Sequence, residues 1–208
     1  MKVIQAYLTP NDFSRPGHPL REKKGIAMHY LENDGQSARA CRDFFESLKT
    51  QDSTDNDPDR SASAHEIIDH NGDVYLTVPT TEKAYHCGSS RIDPASGKIY
   101  TDLARKMLGD YARFPDRTSP NSCLIGIEMC HGAGGAFTDA TIQSAMVRAA
   151  RHCIDFNLDP LTQIFMHEEI VGWKKCPLYW SRHPALFVAF KQDVARIIAA
   201  AYMEAGCV

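Results

Sequence analysis

The last quarter of the chain carries a histidine and a cysteine at a spacing that could hold a metal ion. His167 and Cys176 lie nine residues apart, and two lysines, Lys174 and Lys175, directly precede the cysteine. An imidazole nitrogen and a thiolate are ligands that zinc prefers. A neighbouring ammonium group lowers the pKa of a thiol and can stabilise an oxyanion. This segment alone indicates half of a zinc site, although buried cysteines and hydrogen-bonded histidines are also common in protein cores.

Two more polar residues stand in apolar runs that have the length of strands. His29 comes near the end of residues 25–30, and Glu128 is the single carboxylate in residues 124–130. A catalytic zinc takes three protein ligands and leaves a fourth position for water, and His29, His167 and Cys176 would supply three. Glu128 could take a proton from that water and pass it to a leaving nitrogen. Lys174 could reach the oxygen of a tetrahedral intermediate.

Each of these residues also has a structural interpretation. His29 could be a core histidine hydrogen-bonded at a strand end, and Glu128 could pair with an arginine in the core. Either Lys174 or Lys175 could be a solvated loop charge, and the spacing to the cysteine favours Lys174 as the functional one. We interpret His131, which follows Cys130 at a glycine-rich turn, as a structural residue.

Short apolar runs alternate with helix-like segments, which predicts one α/β domain with a central mixed sheet flanked by helices. An Asn-Gly pair at 71–72 predicts a hairpin. Residues 1–24 are expected to cover the surface before the first strand, and residues 50–60 to form an exposed loop. The predicted strands are 25–30, 64–69, 74–79, 124–130 and 161–167. The predicted helices are 38–48 after an N-cap at Ser37, 101–111 within a polar excursion at 88–121, a helix from Thr138 or Asp139 to Phe156, and 183–203.

Composition excludes several classes of protein. At 208 residues and a formal net charge of -3, the chain has the size of one domain and lacks the basic excess of a nucleic-acid-binding protein. No apolar run is long enough to cross a membrane, and the first residues lack the apolar core of a signal peptide, so we expect synthesis in the cytoplasm and no membrane insertion. Seven cysteines form an odd set without paired spacing, which indicates reduced thiols.

An ordered series of motifs resembles a known enzyme family over residues 7 to about 180. The chain is similar to the zinc-dependent N-acetylmuramoyl-L-alanine amidases of the amidase-2 type, which are related to phage amidase lysozymes and peptidoglycan recognition proteins. Each motif is weak alone, but their order and spacing are specific. They are Ser14-Arg15-Pro16-Gly17, Ile26-Ala27-Met28-His29-Tyr30, Ala62-Ser63-Ala64-His65-Glu66-Ile67-Ile68-Asp69, Ala84-Tyr85-His86-Cys87-Gly88, Ile125-Gly126-Ile127-Glu128-Met129-Cys130, and His167 through Lys174 to Cys176-Pro177.

The resemblance implies a role for each matching position. It implies that His29, His167 and Cys176 are the zinc ligands, that Glu128 is the catalytic carboxylate, and that Lys174 polarises the substrate. His86 matches a histidine that lines the substrate cleft in the family. For His86 and for His65 a substrate contact and a structural role both stay open. Two positions depart from the family pattern: Tyr85 replaces the usual tryptophan, and Ala64 stands where some relatives carry a catalytic tyrosine, which leaves Glu128 as the candidate base.

The implied activity is hydrolysis of the amide bond between the lactyl group of N-acetylmuramic acid and L-alanine in peptidoglycan. The resemblance is greatest to phage and prophage endolysins, which would wait in the cytoplasm and reach the cell wall through a holin-type pore. The alternatives are a cytoplasmic amidase that recycles small muropeptides and a recognition module that binds peptidoglycan without cleaving it. We expect residues 1–180 to form the zinc amidase domain and residues 181–208 to form a helix packed on it; the sequence does not predict an oligomeric state.

Overall fold

Six strands form one mixed sheet in the computed structural model, which describes residues 1–52, 54, 58–113 and 119–206. The order across the sheet is β1-β4-β3-β5-β2-β6, and every neighbouring pair is parallel except β3 and β4, which form the antiparallel hairpin. The strands are β1 Val3–Gln5, β2 Gly25–Tyr30, β3 Glu66–Ile68, β4 Val74–Leu76, β5 Leu124–Met129 and β6 Ile164–Met166.

Six α-helices in the described part of the chain connect and cover these strands. Side chains at the predicted caps satisfy free backbone N–H groups: Ser37 accepts from the N–H of Ala40 and Thr138 from that of Thr141. The helices are α1 Ala38–Ser47, α2 Asp102–Leu108, α3 Asp139–Phe156, α4 His167–Val171, α5 Leu178–Arg182 and α6 Pro184–Glu204. No helix in the described ranges is both long and apolar enough to span a lipid bilayer.

One face of the sheet is covered continuously by α3 and α6. Alternate residues of the two central strands, Ile26 and Met28 in β2 and Ile127 and Met129 in β5, point into this layer, where Trp180 of α5 also packs. All of these side chains are buried. Because period-2 alternation assigns the intervening residues to the other face, this layer fixes the direction in which His29 and Glu128 project.

The opposite face is covered by two separate clusters. One cluster packs α1 and the N-terminal segment on the sheet through residues such as Phe45 and Ile67. The other packs α2 and α4 on the sheet through residues such as Leu108 and Phe165. The ends of β2 and β5 lie between these clusters, and an open cleft forms there.

The predicted fold class is confirmed, as are the hairpin and the four predicted helices, while three details differ. Residues 3–5 form an edge strand, whereas the sequence predicts that they cover the surface without regular structure. Three residues are too few for a periodic signal, and their parallel pairing with β4 depends on tertiary contacts. The strands predicted at 64–69, 74–79 and 161–167 are shorter, and the last gives way to α4 at His167. Parts of the predicted loop at 50–60 and of the excursion at 88–121, together with residues 207–208, lie outside the described residues.

Candidate functional site

Strand register brings the first two site residues together. His29 of β2 and Glu128 of β5 are direct partners in the parallel ladder. Partners in a parallel pair project to the same face, and that face is the one not covered by α3 and α6. His29 is buried at 2% exposure, whereas Glu128 is half-buried and lines the cleft. The sheet therefore holds an imidazole and a carboxyl group side by side at the base of the cleft.

The second histidine and the cysteine reach the same point from the next element along the sheet. His167 is the first residue of α4, directly after β6, which lies beside β2. The chain ends α4 at Gly172, whose φ of +75° favours glycine, and then turns back. The backbone N–H of Glu168 donates to the carbonyl of Cys176 at 3.0 Å, which ties the returning segment to the start of the helix. Cys176 is thereby placed next to His167.

The three ligand atoms have the spacing of a metal site. His29 Nδ1 lies 3.2 Å from His167 Nδ1 and 3.9 Å from Cys176 Sγ. Tetrahedral zinc with ordinary bond lengths separates two nitrogens by about 3.3 Å and a nitrogen from a sulfur by about 3.6 Å. The observed separations differ from these values by a few tenths of an ångström. The donor set of two imidazoles and one thiol therefore fits zinc in both type and spacing.

Burial sets the protonation of these groups. Burial lowers the pKa of His167 to about 3, with Lys174 adding to the effect, and it lowers the pKa of His29 well below its usual value. Both imidazoles are thus neutral at physiological pH, as metal ligands must be. Burial raises the pKa of the Cys176 thiol, so this group needs a cation beside it to ionise.

Glu128 has the electrostatic character of an acid–base group. Burial raises its pKa to about 8, although the positive charge of Lys174 opposes the shift. Within the described part of the chain, no hydrogen bond reaches its buried Oε2 atom. A buried carboxyl oxygen without a partner is costly in a purely structural role. Among the residues that the structure describes, no arginine forms an ion pair with Glu128, so the structural alternative is not what is found there.

The side chains of the two neighbouring lysines lie in different environments, one at the cleft and the other on the outer surface beside α4. Lys174 lines the cleft, its side chain is 33% exposed, and its Nζ lies 3.7 Å from Glu32 Oε1. The Lys175 side chain is 65% exposed and pairs with Glu168 on α4, outside the cleft lining. Lys174 is therefore the lysine in a position to meet a substrate, and Lys175 is a solvated charge.

The cleft that these groups share has a volume of about 550 Å³. Such a volume fits a ligand of several linked units rather than an ion or a water cluster. Three aromatic side chains line it: Phe44 of α1, Tyr85 and Trp173. Arg60 also lines the cleft and lies over the Phe44 ring at 5.2 Å. The cleft thus offers both aromatic and charged surface next to the candidate metal ligands.

His86 both lines the cleft and contacts a candidate ligand. Its Nδ1 atom lies 3.1 Å from His29 Nε2, and its Nε2 atom lies 3.1 Å from the carbonyl oxygen of Leu124. From the sequence, a substrate contact and a structural role are both open for His86. The structure places it where the first role is open, and it adds a bond to His29 that was not expected.

His65 does not line the cleft, and of the two roles left open for it the structure favours the structural one. The residue is fully buried. Its Nδ1 accepts from the N–H of Gly126 at 2.9 Å, and its Nε2 lies 2.9 Å from the carbonyl oxygen of Glu82. Burial lowers its pKa to about 4, which keeps the ring neutral. With both nitrogens bonded to backbone, His65 joins β3 to its neighbours.

Two other groups of potential ligands occur among the described residues. His86 and Cys87 form a second set with His29. In that set Cys87 Sγ lies 3.1 Å from His86 Nδ1, which is closer than two ligands of a tetrahedral zinc should be, and Cys87 lies outside the cleft lining. A third set, formed by Asp69, His70 and Cys130, also lies outside that lining. The set that contains Cys176 is therefore the best candidate.

Sequence reasoning missed the residues that support the site. Glu32, the partner of Lys174, is an ordinary surface carboxylate in the sequence. Asn121 accepts from the backbone N–H groups of His86 and Cys87 at 2.9 and 2.6 Å. The adjacency of His86 and Cys87 was visible in the sequence, but its relation to His29 depends on tertiary packing.

The fold and this cluster define a class: an α/β protein with a candidate metal site of two histidines and a cysteine at the base of an open cleft. Residues 19–178 match the Amidase_2 family, which is described as N-acetylmuramoyl-L-alanine amidase. The match covers most of the chain, and the chain belongs to this family.

Known proteins similar to this chain carry the same description. The N-acetylmuramoyl-L-alanine amidase BlyA of Bacillus subtilis (strain 168) is 28% identical over 189 residues, which are 91% of this chain and 46% of BlyA. The N-acetylmuramoyl-L-alanine amidase CwlL of Bacillus licheniformis is 25% identical over 198 residues, which are 95% of this chain and 48% of CwlL. The chain thus spans about half the length of the curated relatives it matches.

A solved structure shares the fold. The catalytic domain of XlyA matches with a TM-score of 0.64 and 21% sequence identity, over 92% of this chain and 99% of that one. At this identity the likeness is evidence for the fold alone.

Proposed function

We propose that this protein is a zinc-dependent amidase that cleaves the bond between the lactyl group of N-acetylmuramic acid and L-alanine in peptidoglycan. One observation carries the proposal: the candidate ligands His29, His167 and Cys176 meet in the same cleft as Glu128 and Lys174. Membership of the amidase family and the names of BlyA and CwlL support the reaction and the substrate.

His29, His167 and Cys176 would hold the zinc ion through two neutral imidazole nitrogens and a thiolate. A zinc ion held there would supply Lewis acidity to the scissile carbonyl and to the attacking water. The protein contributes the fixed positions of the ligands: His29 is held by β2 and His167 by α4, and Cys176 is held by the hydrogen bond between the Glu168 N–H and the Cys176 carbonyl.

Glu128 would move the proton in this reaction. Its carboxylate takes a proton from the attacking water and then gives it to the leaving nitrogen of L-alanine, so that the amine departs neutral. A pKa raised by burial suits a group that must both accept and donate near neutral pH. Lys174 faces the oxygen of the tetrahedral intermediate and stabilises the negative charge that develops on it.

The remaining parts of the proposal concern the biological setting. From the resemblance of the sequence motifs to phage and prophage endolysins, we extend the proposal to a wall-lytic role, with action on the cell wall after release through a holin-type pore. We assign the catalytic domain to residues 1–180, with the helix of the final segment packed on α3 of the same domain. Wall targeting by any further part of a longer protein is outside this proposal.

The experiment is incubation of the zinc-loaded protein with purified sacculi, followed by mass spectrometry of the soluble products. The proposal expects stem peptides that begin with a free L-alanine amine, and it expects none of them after chelation. Cleavage of soluble muropeptides but not of sacculi would instead support a recycling amidase. Binding to sacculi without any cleavage, by protein that holds zinc, would support a recognition module and refute the amidase.

A further inference from the structure

The hydrogen bonds of His29 continue through a second histidine to a backbone carbonyl. His29 Nε2 lies 3.1 Å from His86 Nδ1, and His86 Nε2 lies 3.1 Å from the carbonyl oxygen of Leu124. On its other side, His29 Nδ1 faces His167 Nδ1 at 3.2 Å. The three rings and the carbonyl thus form one continuous row that ends at the candidate metal position.

The carbonyl fixes the direction of the two bonds that His86 makes in this row. A carbonyl oxygen only accepts, so His86 Nε2 must carry the hydrogen. A neutral imidazole carries one hydrogen, and with that hydrogen on Nε2 the Nδ1 atom of His86 is an acceptor. His29 Nε2 therefore donates to it, and the lone pair of His29 Nδ1 points towards His167 and Cys176. This is the tautomer that a metal ligand at Nδ1 requires.

The position of His86 is itself built by its surroundings. The side chain of Asn121 holds the backbone N–H groups of His86 and Cys87. A Cβ atom at Gly126 would lie 2.6 Å from a ring carbon of His86, so this position in β5 admits the ring only because it is glycine. Cys87 Sγ lies 3.1 Å from His86 Nδ1 and 3.7 Å from His29 Nε2, close enough to share the same bond.

We propose that His86 is a positioning residue that holds His29 in the tautomer able to bind the metal, rather than a substrate ligand. The inference rests on the proposed function, because it assumes that His29, His167 and Cys176 bind zinc. Residues that orient a metal ligand in this way typically change metal affinity 10- to 100-fold when they are lost. A residue that only contacts substrate would leave zinc affinity unchanged.

The test compares His86→Leu with His86→Asn. The two side chains have nearly the same shape, but only asparagine offers an oxygen to accept the bond from His29. Zinc affinity is measured by competition with a chromogenic chelator on the full chain. We expect His86→Leu to bind zinc about 10- to 100-fold more weakly than the unchanged protein. We expect His86→Asn to recover most of that loss, whereas a packing role predicts that leucine does at least as well as asparagine.

Ring NMR of the metal-free protein supplies a second readout that does not depend on zinc. Nitrogen chemical shifts distinguish the two tautomers of each histidine. The inference expects the hydrogen of His29 on Nε2 in the unchanged protein and a mixture of tautomers in His86→Leu. A His29 hydrogen found mainly on Nδ1 in the unchanged protein would overturn it.

Two cysteine variants identify the ligand set in the same affinity assay. Cys176→Ala should lose tight zinc binding, and Cys87→Ala should retain it within a few-fold. The reverse order would overturn the inference, since zinc would then occupy the set that includes His86. Failure of the unchanged protein to bind zinc would overturn the proposed function as well. Equal zinc affinity in His86→Leu and the unchanged protein would overturn the positioning role alone.

Discussion

Replacing Glu66 with glutamine should destabilise the protein through a buried ion pair that holds α3 against β3. Glu66 is 1% exposed. It accepts from Arg148 Nε at 2.9 Å and from a second guanidinium nitrogen, and it lies 2.8 Å from His152 Nε2. Both partners belong to α3. The pair therefore joins the sheet to the helical layer that fixes the faces of the central strands.

The size of the effect follows from the pKa of Glu66. Burial alone would raise this pKa, but the hydrogen bonds from Arg148 and His152 outweigh it and hold the pKa at about 2, against an ordinary value of 4.5. That difference corresponds to about 3 kcal/mol of folding free energy. Because the pKa is lower in the folded protein, the contribution is fully present above about pH 5. It is lost as the pH falls towards 2, where the folded carboxylate takes up its proton.

The assay is urea denaturation of the unchanged protein and of Glu66→Gln at pH 7, 4 and 3. At pH 7 we expect a loss of about 3 to 5 kcal/mol in the variant, because Arg148 keeps a partly buried charge without its partner. The difference between the two proteins should shrink as the pH falls. The matched control is Asp155→Asn, which removes the exposed pair with Arg151 on the same helix and should cost under about 1 kcal/mol. A Glu66→Gln variant within 1 kcal/mol of the unchanged protein at pH 7, or a difference that is constant with pH, would refute this reasoning.

Three further predictions concern the cleft. Lys174→Met should lower kcat by about 10²- to 10³-fold, as for loss of an oxyanion donor, while the control Lys175→Met should retain turnover. Equal losses of turnover in the two variants would contradict the assignment of Lys174 as the group that stabilises the oxyanion. Glu128→Gln should lower kcat by about 10²- to 10⁴-fold with zinc retained, as measured by turnover and metal analysis on the same sample; unchanged turnover would exclude Glu128 as the proton carrier. Gly126→Ala should displace the His86 ring and weaken zinc binding as His86→Leu does, and wild-type affinity in the chelator assay would show that the ring has room to move.

The two candidate histidine ligands could be predicted from the sequence because each lies at or near the end of a predicted strand. His29 closes an apolar run, and His167 directly follows another. The strand ends of a parallel sheet meet at one edge, so a prediction of strands is also a prediction of proximity. The choice of Lys174 over Lys175 rested on its spacing to Cys176 and on the family resemblance. The structure places Lys174 at the cleft and leaves Lys175 more exposed, and the catalytic role of Lys174 stays a prediction.

The supporting residues could not be predicted because their roles depend on contacts without a local pattern. His65 and His86 are two residues of similar sequence context, yet one is bonded entirely to backbone and the other to His29. The difference arises from the neighbouring elements: the backbone of Gly126 and Glu82 contacts the His65 ring, whereas His29 of β2 contacts the His86 ring. Gly126 gave no signal either, since a glycine in a strand is unremarkable until the ring that lies against it is known.

The protonation states of the site make zinc binding depend on pH in a specific way. Since burial keeps His29 and His167 neutral, neither has to lose a net proton to bind the metal. Cys176 and Glu128 have raised pKa values, so a divalent cation beside them should expel protons from both. Calorimetry of zinc binding at pH 7, in buffers of different ionisation enthalpy, should therefore show about one proton fewer released by Glu128→Gln than by the unchanged protein. Equal release would mean that the protonation of Glu128 does not change when the metal binds, and its place as the proton carrier would then rest on position alone.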